Sequence, residues 1–120
     1  MLNHRAVLIA EDEPFIALDL ALAVEDAGGE VIGPAATARE ALVLLAAHPV
    51  VAAILDVNLI GGDISPVVDY LVAQGVPMIL QTGVGLPPDL AERYPHLIVR
   101  IKPTMAATLV AQLEMLIDAR

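Results

Sequence analysis

The sequence predicts an α/β domain with a parallel sheet covered by helices on both faces. Three observations carry this. Four short apolar runs each end in a reactive polar group: Val7-Leu8-Ile9-Ala10-Glu11-Asp12, Val51-Ala52-Ala53-Ile54-Leu55-Asp56, Pro77-Met78-Ile79-Leu80-Gln81-Thr82 and Leu97-Ile98-Val99-Arg100-Ile101-Lys102. Continuous runs of this length suit strands buried on both faces. Helical segments separate them, and alternation of this kind favours parallel strands joined by right-handed crossovers. The 120 residues are 58% hydrophobic, mostly Ala, Val, Leu and Ile, as a sheet covered on both sides requires.

The elements follow in order. After the first strand, Pro14 suits the first turn of a helix over 14–27, with an apolar face of Phe15, Leu18 and Leu22 beside Ile16, Leu20, Ala23 and Val24. Gly28-Gly29 ends it. Glu30-Val31-Ile32 is a short strand closed by Gly33-Pro34. Thr37-Ala38-Arg39-Glu40 is a capping box opening a helix over 38–47, which Pro49 stops. The strand ending at Asp56 leads into a surface loop over 57–64. Ser65-Pro66 then caps a helix with Val67, Val68, Leu71 and Val72 inward, ending near Gln74-Gly75. After the strand ending at Thr82, residues 83–88 form a loop and 89–94 a short or irregular helix. The last strand ends at Lys102, and Thr104 caps a helix with Leu109, Leu113, Leu116 and Ile117 inward. Val110 and Met115 lie off that inward stripe and are candidates for a partner or dimer face. The count is five strands and about five helices in one domain over residues 1–120.

Composition excludes several classes. The net charge is −9 with only six Lys and Arg, so the chain lacks the basic stripes that nucleic-acid binding needs. Cysteine is absent, which removes disulfides and thiolate chemistry. No apolar stretch is long enough to span a membrane, and Met1-Leu2-Asn3-His4-Arg5 shows no signal-peptide pattern. A cytoplasmic location fits these features. His4, His48 and His96 are isolated from one another and read as surface residues; Tyr70 and Tyr94 read as packing residues with exposed hydroxyls. Glu13 reads as a solvated or helix-dipole residue. Gly61-Gly62 is loop, because no helix with dinucleotide-binding spacing follows.

In a parallel sheet the strand ends gather on one edge, where open α/β sheets bind ligands. Glu11, Asp12 and Asp56 would bring three carboxylates together. Their repulsion calls for a cation or a shifted pKa, and hard oxygen ligands in small number suit Mg²⁺. Lys102 offers a compact positive charge for a phosphate oxygen, and Thr82 a hydroxyl beside the permissive Gly83. A carboxylate nucleophile, a divalent ion, an ammonium and a hydroxyl are the parts needed for phosphoryl transfer onto aspartate.

Glu11-Asp12, Asp56, Thr82 and Lys102-Pro103, each at the end of an apolar run, resemble the receiver domain of two-component response regulators over the whole chain. The resemblance implies a flavodoxin-like (CheY-like) doubly wound fold with strand order 2-1-3-4-5. It implies that Asp56 accepts a phosphoryl group from a histidine on a partner kinase or phosphotransfer protein. Asp12, Asp56 and the backbone carbonyl of Asn58 would hold Mg²⁺, Glu11 would act mainly through metal-bound water, and Thr82 and Lys102 would grip the phosphoryl oxygens. Lys102-Pro103 would be a cis peptide. Such a protein is a signalling phosphoacceptor that catalyses its own phosphoryl transfer and dephosphorylation, and not a conventional enzyme.

A narrower resemblance lies around Gln81-Thr82-Gly83 and Leu86-Pro87, with Gly33-Pro34-Ala35 and Asp56-Val57-Asn58-Leu59. These are similar to the "FAT GUY" subgroup of receivers, often single-domain proteins of alphaproteobacteria served by kinases of the HWE or HisKA2 type. Leu80 and Val84 depart from that subgroup's aromatics. Val99 stands where most receivers carry Phe or Tyr three residues before the lysine, so no ring can swing there. The expected function is a Mg²⁺-dependent receiver, a monomer or weak homodimer, acting through protein contacts with no DNA-binding domain. The alternatives are a phosphorylation-independent adaptor of the same fold and a flavodoxin-like ligand binder or hydrolase. One Phe and two Tyr are too few for a flavin sandwich, and no cap domain encloses a substrate.

Overall fold

The computed structural model describes residues 1–119 and alternates strand and helix throughout: β1 (Ala6–Ala10), α1 (Pro14–Asp26), β2 (Glu30–Ala35), α2 (Ala38–Ala47), β3 (Ala52–Asp56), α3 (Ser65–Ala73), β4 (Met78–Thr82), α4 (Pro88–Arg93), β5 (Ile98–Ile101) and α5 (Ala106–Asp118). All strand pairings are parallel, in the order β2-β1-β3-β4-β5. The predicted flavodoxin-like order is therefore the observed one. The order reverses at β1, which pairs with β2 on one side and β3 on the other. The crevice of such a sheet opens beyond the carboxyl ends of those strands.

Alternation of side chains along the central strands splits the core into two layers. Leu8, Ala10, Leu55 and Leu80 face α2, α3 and α4, where they meet Leu45, Val67, Leu71 and Leu90. Val7, Ile9, Ile54 and Ile79 face α1 and α5, meeting Leu20, Val24, Leu109 and Leu113. Every residue of β3 and β4 is buried, which is why both read as unbroken apolar runs. The capping box of α2 forms: Glu40 N donates to Thr37 Oγ1 at 3.0 Å, and Ala36 N to Glu40 Oε2 at 3.1 Å. None of the described helices is long and apolar enough to cross a membrane.

Several expectations are corrected. β2 does not close at Gly33-Pro34 but runs on to Ala35, with Leu8 opposite Ile32 and Ala10 opposite Ala35, so the register slips by one residue. Gly33 makes this possible. Its φ is +106°, and a Cβ there would meet Ile9 O at 2.7 Å and Ala35 N at 2.8 Å. Both Gly33-Pro34 and Lys102-Pro103 are cis.

Ser65 and Thr104 do not cap their helices. Ser65 N and Oγ both donate to Asp63 Oδ1, Thr104 Oγ1 donates to Ile101 O, and neither α3 nor α5 has a side-chain cap. Glu13 is the cap that composition did not suggest: its Oε2 accepts from Ile16 N at 2.9 Å at the start of α1.

Three of the seven apolar residues expected to face inward from α1 point outward. Leu20 and Val24 are buried, but Phe15 is 78% exposed and Leu18 and Leu22 are exposed as well. Val72 likewise turns out from α3. Val110 goes the other way, buried where α5 packs on α1, while Met115 is exposed as expected. The three histidines are exposed as read. The Tyr94 hydroxyl is not free but donates to Asp69 Oδ1 at 2.6 Å, alongside Arg93 Nη1 at the same distance.

Candidate functional site

The carboxyl ends of β1, β3 and β5 bring Glu11, Asp12, Asp56 and Lys102 together. Each is placed by backbone contacts that the sheet dictates. The extension of β2 matters here, because Glu11 N donates to Ala35 O at 2.8 Å and this bond fixes the turn after β1. Glu13 N then donates back to Glu11 Oε2 at 3.2 Å. Asp12 Oδ2 accepts from Ile60 N at 3.0 Å, tying the loop after β3 to the end of β1. Asp56 is the last residue of the central strand β3, and its Oδ1 accepts from Asn58 N at 2.9 Å. Lys102 N donates to Thr82 O at 2.9 Å, which carries the lysine past the end of β5 and aims it inward.

Carboxylate oxygens of Glu11, Asp12 and Asp56 lie within 4.8 Å of one another. Glu11 and Asp56 are each only 2% exposed. Lys102 Nζ donates to Asp56 Oδ2 at 2.9 Å and to Glu11 Oε1 at 3.1 Å. One ammonium thus faces two buried acids and cannot neutralise both. Burial, and then the hydrogen bond to Asp56, push Glu11 from its ordinary 4.5 up to about 7. Burial also acts upward on Asp56, but hydrogen bonds from Glu11, Asn58 N and Lys102 outweigh it and hold Asp56 below its ordinary value. Burial works against the Lys102 charge, yet its bonds to Asp56 and Glu11 raise its pKa.

This donor set fits a hard divalent cation. Three carboxylates converge, one so unfavourable as an anion that it keeps a proton near neutrality, and a bound cation would relieve that. The arrangement can bind such an ion and offer Asp56 as an oxygen nucleophile beside an ammonium.

Thr82 and Asn58 form a second cluster next to the first. Thr82 is fully buried, and its hydroxyl is turned into its own loop. It donates to Gly85 O at 2.9 Å and accepts from Val84 N at 3.2 Å, Gly85 N at 3.1 Å and Asn58 Nδ2 at 3.3 Å. The sequence brings the six candidate residues to one edge, but it does not show that Thr82 is engaged away from the carboxylates. It also misses Gln81, a buried amide whose Nε2 finds no acceptor in the protein; the polar residue inside an otherwise apolar run is the signal that was available.

No protein-family model matches the sequence, and no curated protein matches it. Solved structures do match. The chain is similar to SdrG from Sphingomonas melonis Fr1 at 30% identity, over 98% of each chain, with a TM-score of 0.78. It is similar to the PhyR response regulator REC domain of Erythrobacter litoralis at 26% identity, over 95% of this chain and 92% of that one, with a TM-score of 0.75. The fold is shared with a response regulator receiver domain protein (CheY-like) from Methanospirillum hungatei JF-1: TM-score 0.80, 20% identity, 96% of this chain and 94% of the other.

Proposed function

Because the chain belongs to the receiver domains of response regulators, we propose that it is a phosphorylatable switch whose Asp56 takes a phosphoryl group from a histidine of a partner kinase or phosphotransfer protein. The observation that carries this is the placement of Asp56. It ends the central strand as a buried carboxylate, ionised by its partners, 2.9 Å from a lysine ammonium and within the acidic cluster.

In the step itself, an Asp56 carboxylate oxygen forms a bond to phosphorus while the phosphorus–nitrogen bond to the donor imidazole breaks. The electron pair of that bond stays on the imidazole nitrogen, which takes up a proton, and Asp56 becomes an acyl phosphate. Glu11, Asp12, Asp56 and the backbone carbonyl of Asn58 would hold Mg²⁺, which when bound neutralises the carboxylates and the charge on the phosphoryl oxygens. Lys102 supplies a positive charge that can pass from Asp56 to a phosphoryl oxygen, and Thr82 a hydroxyl that can donate to another. Water attack at phosphorus later breaks the bond to the Asp56 oxygen, releases inorganic phosphate and returns the carboxylate, so the domain promotes its own phosphorylation and its own reset.

Output is by protein contact, in the cytoplasm, from a monomer or weak homodimer. A kinase of the HWE or HisKA2 type is the proposed donor, supported by the Gln81-Thr82-Gly83 stretch and its resemblance to the subgroup such kinases serve.

Incubation with Mg²⁺ and acetyl phosphate, read by intact mass, tests this. The expected result is a gain of one phosphoryl group, lost in Asp56→Asn and with EDTA. An adduct that persists in Asp56→Asn overturns the choice of acceptor. No adduct from acetyl phosphate or from a phosphorylated kinase would make the domain a phosphorylation-independent adaptor.

A further inference from the structure

Gln81 carries a polar group that the proposed phosphoryl chemistry leaves unused. It is only 2% exposed, and its Nε2 finds no acceptor among the described residues. A buried donor left in this state is costly, and native structures keep few of them. The atom is closed off from bulk solvent, so an acceptor for it must be a group inside the protein.

The sheet register says which group stands beside it. Asp56 of β3 pairs with Gln81 of β4, one step beyond the pairs Ile54–Ile79 and Leu55–Leu80. Paired residues of parallel strands project to the same face. Alternation puts these two on the side of Ile54 and Ile79, toward α1 and α5, while Thr82 projects to the other side. Neighbouring strands lie about 4.8 Å apart, a gap that a glutamine side chain spans.

Lys102 now holds the place that Gln81 could take. β4 lies between β3 and β5, so the lysine reaches Asp56 by crossing the end of β4. It donates to Asp56 Oδ2 at 2.9 Å and lines one cavity wall together with Gln81. Asp56 Oδ1 accepts from Asn58 N at 2.9 Å. Both carboxylate oxygens have donors while the lysine stays, and the amide beside them is left over.

Phosphorylation as proposed lets Lys102 pass to a phosphoryl oxygen, which strips Oδ2 of its donor. We propose that Gln81 is a reserve donor to Asp56, its Nε2 taking over Oδ2 when the lysine leaves. At reset, water attacks phosphorus and the bond from phosphorus to the Asp56 oxygen breaks. Its electron pair spreads over both oxygens of the returning carboxylate, and the water's proton leaves with inorganic phosphate. A donor already in place on that carboxylate stabilises the charge as it develops. Gln81 therefore speeds reset. That kinetic role rests on the phosphoacceptor reading; the reserve contact does not.

The contact is tested on the unphosphorylated chain. Lys102→Met keeps an apolar stem and removes the ammonium, which vacates Oδ2. In the wild-type background, Gln81→Met deletes an unpartnered donor and is expected to raise the urea midpoint. In the Lys102→Met background the same change deletes a bonded donor and should lower it. NMR of ¹⁵N-labelled Lys102→Met should show the Gln81 side-chain amide protons moved downfield, and phosphorylated wild type should show the same without any substitution. One sign for Gln81→Met in both backgrounds, or amide protons that stay in place, overturns the contact and leaves Nε2 to a buried water. Reset is followed by intact mass after labelling with Mg²⁺ and acetyl phosphate and removal of the donor. Gln81→Met is expected to lose its phosphoryl group several-fold more slowly than wild type; equal or faster loss overturns the role in reset. Absence of a wild-type adduct would sink the phosphoacceptor reading, while the reversal of sign at Gln81→Met still upheld the contact.

Discussion

Lys102 Nζ and Asp56 Oδ2 lie 2.9 Å apart, and the same ammonium reaches Glu11 Oε1 at 3.1 Å. The lysine is thus the sole cation among three converging acids in the described structure, and with the hydrogen bonds from Glu11 and Asn58 N it holds the central carboxylate ionised where burial opposes this.

Removing that cation leaves Asp56 buried without its positively charged partner. Lys102→Ala is expected to lower stability at neutral pH by about 2 kcal/mol, the scale of a hydrogen bond to a charged group. Urea unfolding checks this. Mg²⁺ titration of the same variant should retain affinity, because the lysine is not among the proposed ligands, and phosphorylation as proposed should no longer shift its backbone amide NMR resonances.

The ion-free domain should also carry an inverted pH signature. Glu11 is raised from 4.5 to about 7 in the folded state, so between those values the native chain binds the extra proton. Its contribution to stability therefore falls as pH rises through that window. Asp56 has the opposite sign: its folded pKa lies below 3.8, and its contribution is lost as pH falls through the folded value. Urea midpoints measured across pH should show the decline between 4.5 and about 7, and Glu11→Gln should flatten it.

Mg²⁺ should stabilise the fold by mass action. At a concentration of 100 times Kd, linkage gives about 2.7 kcal/mol. Thermal melts at increasing Mg²⁺ should show Tm rising, and Asp12→Asn should suppress the rise. The gain should grow with pH as Glu11 loses its competing proton.

Helix capping offers a test away from the site. Thr37→Ala removes an observed cap and should cost about 1 kcal/mol. Thr104→Ala and Ser65→Ala remove hydroxyls that cap nothing and should cost about 0.5 kcal/mol or less, as surface changes do. Parallel urea titrations compare the three.

Asp69 accepts from Tyr94 Oη at 2.6 Å, and this bond, more than burial, raises the phenol above its ordinary 10.0. Asp69→Asn should bring one tyrosine titration down toward that value, visible in the ultraviolet absorbance of a chain with only two tyrosines.

What the sequence made legible follows from how strongly burial constrains it. β3 and β4 are buried on both faces, so their residues admit little but apolar side chains, and the polar groups closing the runs stand out. The edge position of Asp56 and Thr82 follows directly from that, whereas β5 before Lys102 is an edge strand with Ile101 exposed, a difference its apolar run does not reveal. α1 was harder because nearly all of Pro14–Asp26 is apolar, so its two faces look alike and Phe15, Leu18 and Leu22 could not be told from the core. Val110 is buried by the packing of α5 on α1, a contact between elements far apart in sequence. Ser65 and Thr104 cap nothing because they are out of register: α3 starts at Ser65 itself and α5 at Ala106, which puts Ile64 and Met105 at the cap positions. The length of β2 depended on a backbone slip at Gly33 that no periodicity encodes.

A hydroxyl group has one hydrogen, and in Thr82 that hydrogen lies on Gly85 O. An oxyanion arriving at Asp56 asks for the same atom. The loop and the anion are therefore rivals for a single proton donor, and Thr82 can satisfy one only by releasing the other. If Asp56 is phosphorylated as proposed, and with no ring at Val99 to rotate, the outcome of that rivalry would be written in the main chain of residues 83–85, and the message would leave the site as a change of backbone conformation.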